Sequence, residues 1–270
     1  MGDFDNRIFP SPGRCIYCGA TSFLSDEHII PASLGGSAVI ERASCNACAN
    51  ETHAFEGYCA SKVFRSIRLA YGIKGRRRKR PPPPTHLPLT TGDSSDIRTT
   101  DVPIEEHPLG FSLPMFEQAG ILQYRAPGED FKIRWCYGMK SPSLAPAVYD
   151  SLFERNQKEI GESITLHFVG QIRLNPYARL IAKISHCATV ALVGLDKFKP
   201  YLMDIILRAS PDFHYYVGGS LEKQPESEKG DITFNIFDMK HPSGHFVICQ
   251  MRMFADIGGP LYEVVVGELV

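Results

Sequence analysis

With 270 residues, 43% of them hydrophobic and 22% charged, the chain has the make-up of an ordinary soluble globular protein, long enough for one large domain or two modest ones. No stretch reaches the roughly 18 apolar residues of a membrane span. The opening MGDFDNRIFPSPG lacks the apolar core of a secretory signal, so the expectation is a cytoplasmic protein with no membrane partner. The net charge of −1 still leaves room for a polyanionic partner, because residues 74–80 (KGRRRKR) hold six basic side chains.

Residues 1–14 read as an extended arm, with Pro10 and Pro12 opposing helix. Two cysteine pairs follow, Cys15-Ile-Tyr-Cys18 and Cys45-Asn-Ala-Cys48, at the spacing of a structural tetrathiolate Zn²⁺ site. The first pair should form a knuckle turn, with Gly19 free to take a positive φ. Between the pairs, residues 23–30 are predicted to hold a short strand bearing His28, stopped by Pro31 and Gly35-Gly36, and residues 38–40 a second strand. From Cys45 a helix is predicted to run to Gly72 with few breakers. Two strands and a helix around a metal is the local reading. Cys59, Cys136, Cys187 and Cys249 are scattered singly and read as small buried hydrophobes in a reducing compartment.

The basic run and the four prolines after it mark a boundary, since consecutive prolines favour polyproline II and act as a semi-rigid spacer. The chain accordingly divides into residues 1–73, a basic, Pro-rich linker over residues 74–100, and residues 101–270. In the last region, residues 131–137 and 164–172 read as short strands, 176–190 as a helix and 197–208 as another. Further strands are predicted near 213–217, 232–237, 246–254 and 262–266, an α+β pattern. Residues 220–231 read as a solvated loop. His186, on the apolar-patterned helix, reads as a satisfied core histidine.

Four thiolates would close a tetrahedron around Zn²⁺ and leave no position for a substrate, so any chemistry needs a second centre. His28, on a strand beside the helix, is suited to take a proton from water near neutral pH. Glu27, together with a residue of the helix, would hold a hard divalent ion that stabilises a phosphoryl transition state.

The succession of C-x-x-C, Glu27-His28-Ile29-Ile30-Pro31, Gly35-Gly36 and C-x-x-C resembles the zinc-stabilised branch of the HNH nuclease family, over residues 15–60. That resemblance implies an N-terminal ββα-metal (HNH) zinc-stabilised domain, here joined to a C-terminal mixed α+β domain. It also implies cleavage of nucleic acid, a catalytic Mg²⁺ or Mn²⁺, His28 as general base and Glu27 as the acidic metal ligand. The family commonly places His or Asn directly after the last cysteine, where this chain has Ala49, and residues 40–44 contain no Asn. At about 100° per helical residue, His53 lies about 40° from Ala49 and Glu56 about 20° to the other side, whereas Asn50 is about 100° away. His53 is then the better-placed ligand, and Asn50 the one that matches the family's residue type.

The expected function is a metal-dependent endonuclease acting on phosphodiester bonds, on DNA ahead of RNA, with residues 74–80 contacting the backbone rather than reading bases. The C-terminal region is expected to recognise a substrate, a partner or a second copy of the chain. Two alternatives stay open: a noncatalytic zinc module that binds nucleic acid, and a protein-interaction adaptor in which the zinc unit is purely structural.

Overall fold

A computed structural model describes residues 6–70, 73, 85–91, 98–102, 110–139, 150–151, 154–155, 157–158, 164–166, 172–227 and 232–270; the basic run and the four prolines lie outside the described residues. The described chain runs through β1 (Ile8–Phe9), β2 (Leu24–His28), β3 (Val39–Cys45), α1 (Asn46–Tyr58), α2 (Arg65–Ala70), β4 (Thr85–Thr91), β5 (Arg98–Val102), β6 (Gly110–Phe116), β7 (Ile133–Met139) and β8 (Ile164–Leu166). It continues through α3 (Leu174–Val193), β9 (Phe198–Pro200), α4 (Met203–Arg208), β10 (Val217–Gly219), β11 (Ile232–His241), β12 (Gly244–Met253) and β13 (Leu261–Leu269). The fold is α+β, with strands followed by a helix at the N-terminus and a sheet-rich C-terminal part. No helix among the described residues is long and apolar enough to cross a membrane.

At the N-terminus, β3 is flanked by β1, parallel to it, and by β2, antiparallel to it. The ladder slips between Ser25 and Glu27, where β3 spends three residues against one on β2. Arg42 takes a positive φ of 47° at this bulge, and its N–H donates to the Asp26 carboxylate at 3.0 Å. After β2, Pro31 opens a short 3₁₀ turn that Gly35 ends in the left-handed region at φ 90°. Gly36 then passes so close to the Ile30 backbone that a Cβ there would lie 1.9 Å from the Ile30 carbonyl oxygen. The Ile-Ile-Pro and Gly-Gly pieces of the sequence motif thus shape the chain reversal that follows His28.

The helix expected to run towards Gly72 with few breakers is interrupted by a π turn at Cys59–Val63. Phe55, Cys59, Phe64 and Ile67 are all buried, and the five-residue step from Cys59 to Phe64 overshoots an α-helical turn. The π turn takes up the extra residue and returns Phe64 to the buried face, 5.9 Å from the Tyr177 ring and 5.5 Å from that of Phe254. Strands β4 and β5 fall within or overlap the stretch expected as linker, where threonines favour pleated structure, and β8 completes their sheet.

Helix α3 is the centre of the molecule: every residue from 180 to 190 is buried. Its apolar side packs against a sheet of order β10-β13-β12-β11, with β9 added at the end of β13. Tyr177 on α3 donates to the Tyr262 hydroxyl of β13 at 2.6 Å, which donates in turn to the Pro114 carbonyl of β6 at 2.8 Å. The helix predicted over 197–208 is instead β9 followed by α4, because Pro200 has no N–H to give a helix interior and holds the residue before it extended. The strand predicted over 213–217 is a 3₁₀ turn at Phe213–Tyr215 and then β10. One continuous apolar cluster includes Ile16, Ile29 and Ile40 from the N-terminal part together with Ile181, Val264 and Val266 from the C-terminal part.

Candidate functional site

The knuckle at the first cysteine pair is held by two backbone bonds, Cys15 N–H to Ala20 O at 2.7 Å and Gly19 N–H to Cys15 O at 2.9 Å, with Gly19 at φ 78°. A third, Ile16 N–H to Ala43 O at 2.8 Å, pins it to β3. The second pair straddles the β3–α1 junction: Cys45 is the N-cap of α1 and Cys48 lies in its first turn. The four sulfurs all lie within 4.8 Å of one another, and those of Cys18 and Cys45 are 3.6 Å apart. Tetrahedral Zn–S bonds of about 2.3 Å place sulfurs about 3.8 Å apart, so Cys15, Cys18, Cys45 and Cys48 fit a structural zinc. The Cys48 backbone N–H beside it lowers the Cys45 thiol to about 7, which favours the thiolate a metal needs. Burial raises Cys18 and Cys48, so in the metal-free protein these two thiols hold their protons more tightly.

None of the eight cysteines is in a disulfide, and Cys59, Cys136, Cys187 and Cys249 are fully or nearly fully buried, as small hydrophobes would be. Burial pushes Cys187 up to about 12. The Tyr17 hydroxyl lies 3.3 Å from its sulfur.

Glu27 and His28 end β2 as neighbours, so their side chains leave opposite faces of the strand. His28 is half-buried. Glu27 is buried, and its carboxylate meets Lys183 of α3, with Nζ 2.7 Å from Oε1. The same ammonium lies 3.2 Å from Glu56 Oε1 of α1 and donates to the His28 carbonyl oxygen. Lys183 is wholly buried, Glu27 8% exposed and Glu56 14% exposed at their side chains. Burial alone would lower the Lys183 pKa, but the Glu27 and Glu56 carboxylates outweigh it and the net shift is upward, so the ammonium is charged.

The residues expected to hold a divalent ion are not brought together. His53 is exposed on α1, with its Nδ1 against the Ala49 carbonyl oxygen of its own helix. Asn50 is exposed as well. Glu27, the expected acidic ligand, faces an ammonium. Among the described residues, the four cysteines are the only group of three or more His, Cys, Asp and Glu side chains whose ligand atoms converge. The donor set therefore fits Zn²⁺ at the cysteines and does not fit Mg²⁺ or Mn²⁺ at Glu27, His53 and Asn50.

Lys183 escaped the sequence reading, yet α3 carries a signal of it. Arg179, Lys183, His186 and Cys187 repeat at helical spacing on a largely apolar helix, and all four touch the N-terminal part. Arg179 lies 3.6 Å from Glu51 and over the Phe55 ring at 4.6 Å. His186 Nε2 donates to the Ile16 carbonyl at 2.9 Å, and burial lowers its pKa to about 4, so the ring is neutral; it is a core histidine as expected, but only half satisfied, because its Nδ1 is buried with no hydrogen-bond partner.

No curated protein and no solved structure matches the chain. The family model described as HNH endonuclease matches residues 15–57, a span that begins at the first zinc-site cysteine and takes in β2, β3 and nearly all of α1. The N-terminal unit is thus similar to the HNH endonucleases, built on a four-cysteine cluster that fits zinc.

Proposed function

We propose that the protein is a cytoplasmic HNH-type endonuclease that hydrolyses phosphodiester bonds of nucleic acid, DNA ahead of RNA. The observation that carries this reading is the placement of His28: half-buried at the end of β2, between the cysteine pairs of the region that matches the HNH endonucleases. There the imidazole takes a proton from water, the resulting hydroxide attacks phosphorus, and the bond to the leaving oxygen breaks. A divalent ion, the cofactor that the family resemblance implies, would neutralise charge developing on the phosphoryl oxygens. Glu27, with Lys183 against its carboxylate, and the exposed His53 and Asn50 form no ligand set for one. His53 and Asn50, exposed on α1, are then candidates for contacting the substrate backbone, together with the basic run at residues 74–80. The C-terminal region would recognise a substrate, a partner or a second copy of the chain.

Cleavage of linear and supercoiled DNA and of RNA by the zinc-loaded protein, with Mg²⁺ or Mn²⁺ supplied, tests this reading. Wild type should cut, and His28→Ala should lose about 10²–10⁴ of the rate. Equal cutting by the two would remove His28 from the base role.

A second reading is favoured by two particulars: Ala49 stands where the family commonly has His or Asn, and Lys183 already satisfies Glu27. On that reading the zinc unit binds nucleic acid without cutting it. Binding that weakens steeply with salt, in a wild type that cuts nothing under any of these conditions, would select it.

A further inference from the structure

The acidic centre of the N-terminal unit holds a cation of its own. The Lys183 ammonium donates to the His28 carbonyl and forms ion pairs with two carboxylates, 2.7 Å from Glu27 and 3.2 Å from Glu56. Carboxylate and carbonyl oxygens are also what a hard divalent ion selects. They come from the two elements, β2 and α1, that such an ion would bridge. The side chain reaching in between them is wholly buried, and it arrives from a helix well over a hundred residues further along the chain. A second cation at contact distance from a buried ammonium meets strong like-charge repulsion with little water to screen it.

We propose that Lys183 is the resident cation of the Glu27–Glu56 oxygen cage, a positioning residue that joins β2 to α1, fixes the main chain at His28 and keeps divalent ions out. The neighbouring charges agree with a cage completed from within. Arg179, one turn earlier on α3, is directed at Glu51, so each acidic side chain that α1 turns toward α3 meets a basic one. The inference stands apart from the nuclease reading, since it concerns what fills the cage and not whether nucleic acid is cut.

Titration of the zinc-loaded full chain with Mn²⁺, followed by water-proton relaxation, tests it. Wild type and Glu27→Gln should give the same weak signal. Lys183→Ala removes the ammonium and leaves an ion-sized gap beside two carboxylates, so it should bind Mn²⁺ on the order of tenfold more tightly than wild type. Adding Glu27→Gln to that variant should remove the gain. Wild-type Mn²⁺ binding that Glu27→Gln abolishes overturns the proposal, and so does a folded Lys183→Ala with no gain. Should Lys183→Ala fail to fold, the comparison of wild type with Glu27→Gln decides alone. That variant keeps the side-chain shape and leaves Glu56 opposite Lys183.

Discussion

The N-terminal unit contains two places where negative groups gather, and they are resolved in opposite ways. At the cysteine cluster, four sulfurs from two distant turns converge, and Cys18 is open to solvent. At the carboxylate cluster, Glu27 and Glu56 converge on an ammonium that the chain itself supplies. The first arrangement depends on something taken from solution; the second is complete once α3 has docked. Softness explains part of the difference, because thiolates select zinc and no side chain offers an equivalent, whereas carboxylates accept an ammonium readily. Topology explains the rest. Of the four cysteines only Cys18 is exposed, so the cysteine cluster opens to solvent at one corner, whereas the carboxylates face the most buried of the described helices.

The comparison breaks first if zinc is not what orders the cysteine cluster. Chelation or Cys15→Ser should unfold the N-terminal unit, since apparent zinc binding in small metal-built domains is about 10–16 kcal/mol and is in effect their folding energy. Metal analysis should find one Zn²⁺ per chain, and an unchanged circular dichroism spectrum after chelation would remove the zinc scaffold.

A smaller but still large effect is expected at the carboxylate cluster. Losing one partner of a buried ion pair leaves an uncompensated charge and costs about 3–5 kcal/mol, so Lys183→Ala should lower the midpoint of denaturant unfolding accordingly. In a double-mutant cycle, Glu27→Gln with Lys183→Met should cost less than the sum of the two single changes. A double variant that costs the full sum of the two would mean that the side chains are not coupled.

The smallest effect concerns His186, which lies beside both clusters. Its folded-state pKa is depressed to about 4 by burial, below the unfolded value of about 6.5, so between these limits the unfolded chain binds a proton that the folded chain does not. Stability should therefore fall as the pH drops from about 6.5 towards 4, by about 3 kcal/mol at most. His186→Gln should flatten that part of the pH profile while zinc remains bound. A profile with the same slope in both proteins would assign the acid sensitivity to the cysteines instead.

The zinc cluster and the hairpin before α1 were legible in the sequence because their determinants are local. Two C-x-x-C pairs, a β-favouring run and a glycine pair each act within a few residues of themselves. The long helix at 174–193 was legible for the same reason. The π turn was not, since its cause is the burial of Phe64 against Tyr177 and Phe254, neighbours supplied by distant parts of the chain. The metal-ligand reading of Glu27 rested on the same local logic, and tertiary structure redirected it: the partner of this carboxylate is set by a helix whose apolar periodicity hid one lysine. His53 and Asn50 were ranked by angle around an ideal helix, which orders side chains about an axis but does not say which other element that axis lies against.

The burial of α3 on all sides bears on how freely the HNH-like segment can be treated as a portable cassette. A fragment ending at residue 73 would retain Glu27, Glu56 and Glu51 yet lack Lys183 and Arg179, and would lay bare the apolar side chains of Ile16 and Ile29. Grafted onto a foreign host, the same segment would carry a surplus of negative charge at its centre. Any host that accepts it with both carboxylates intact has to bring a counter-cation, either a lysine at the matching depth or a metal ion.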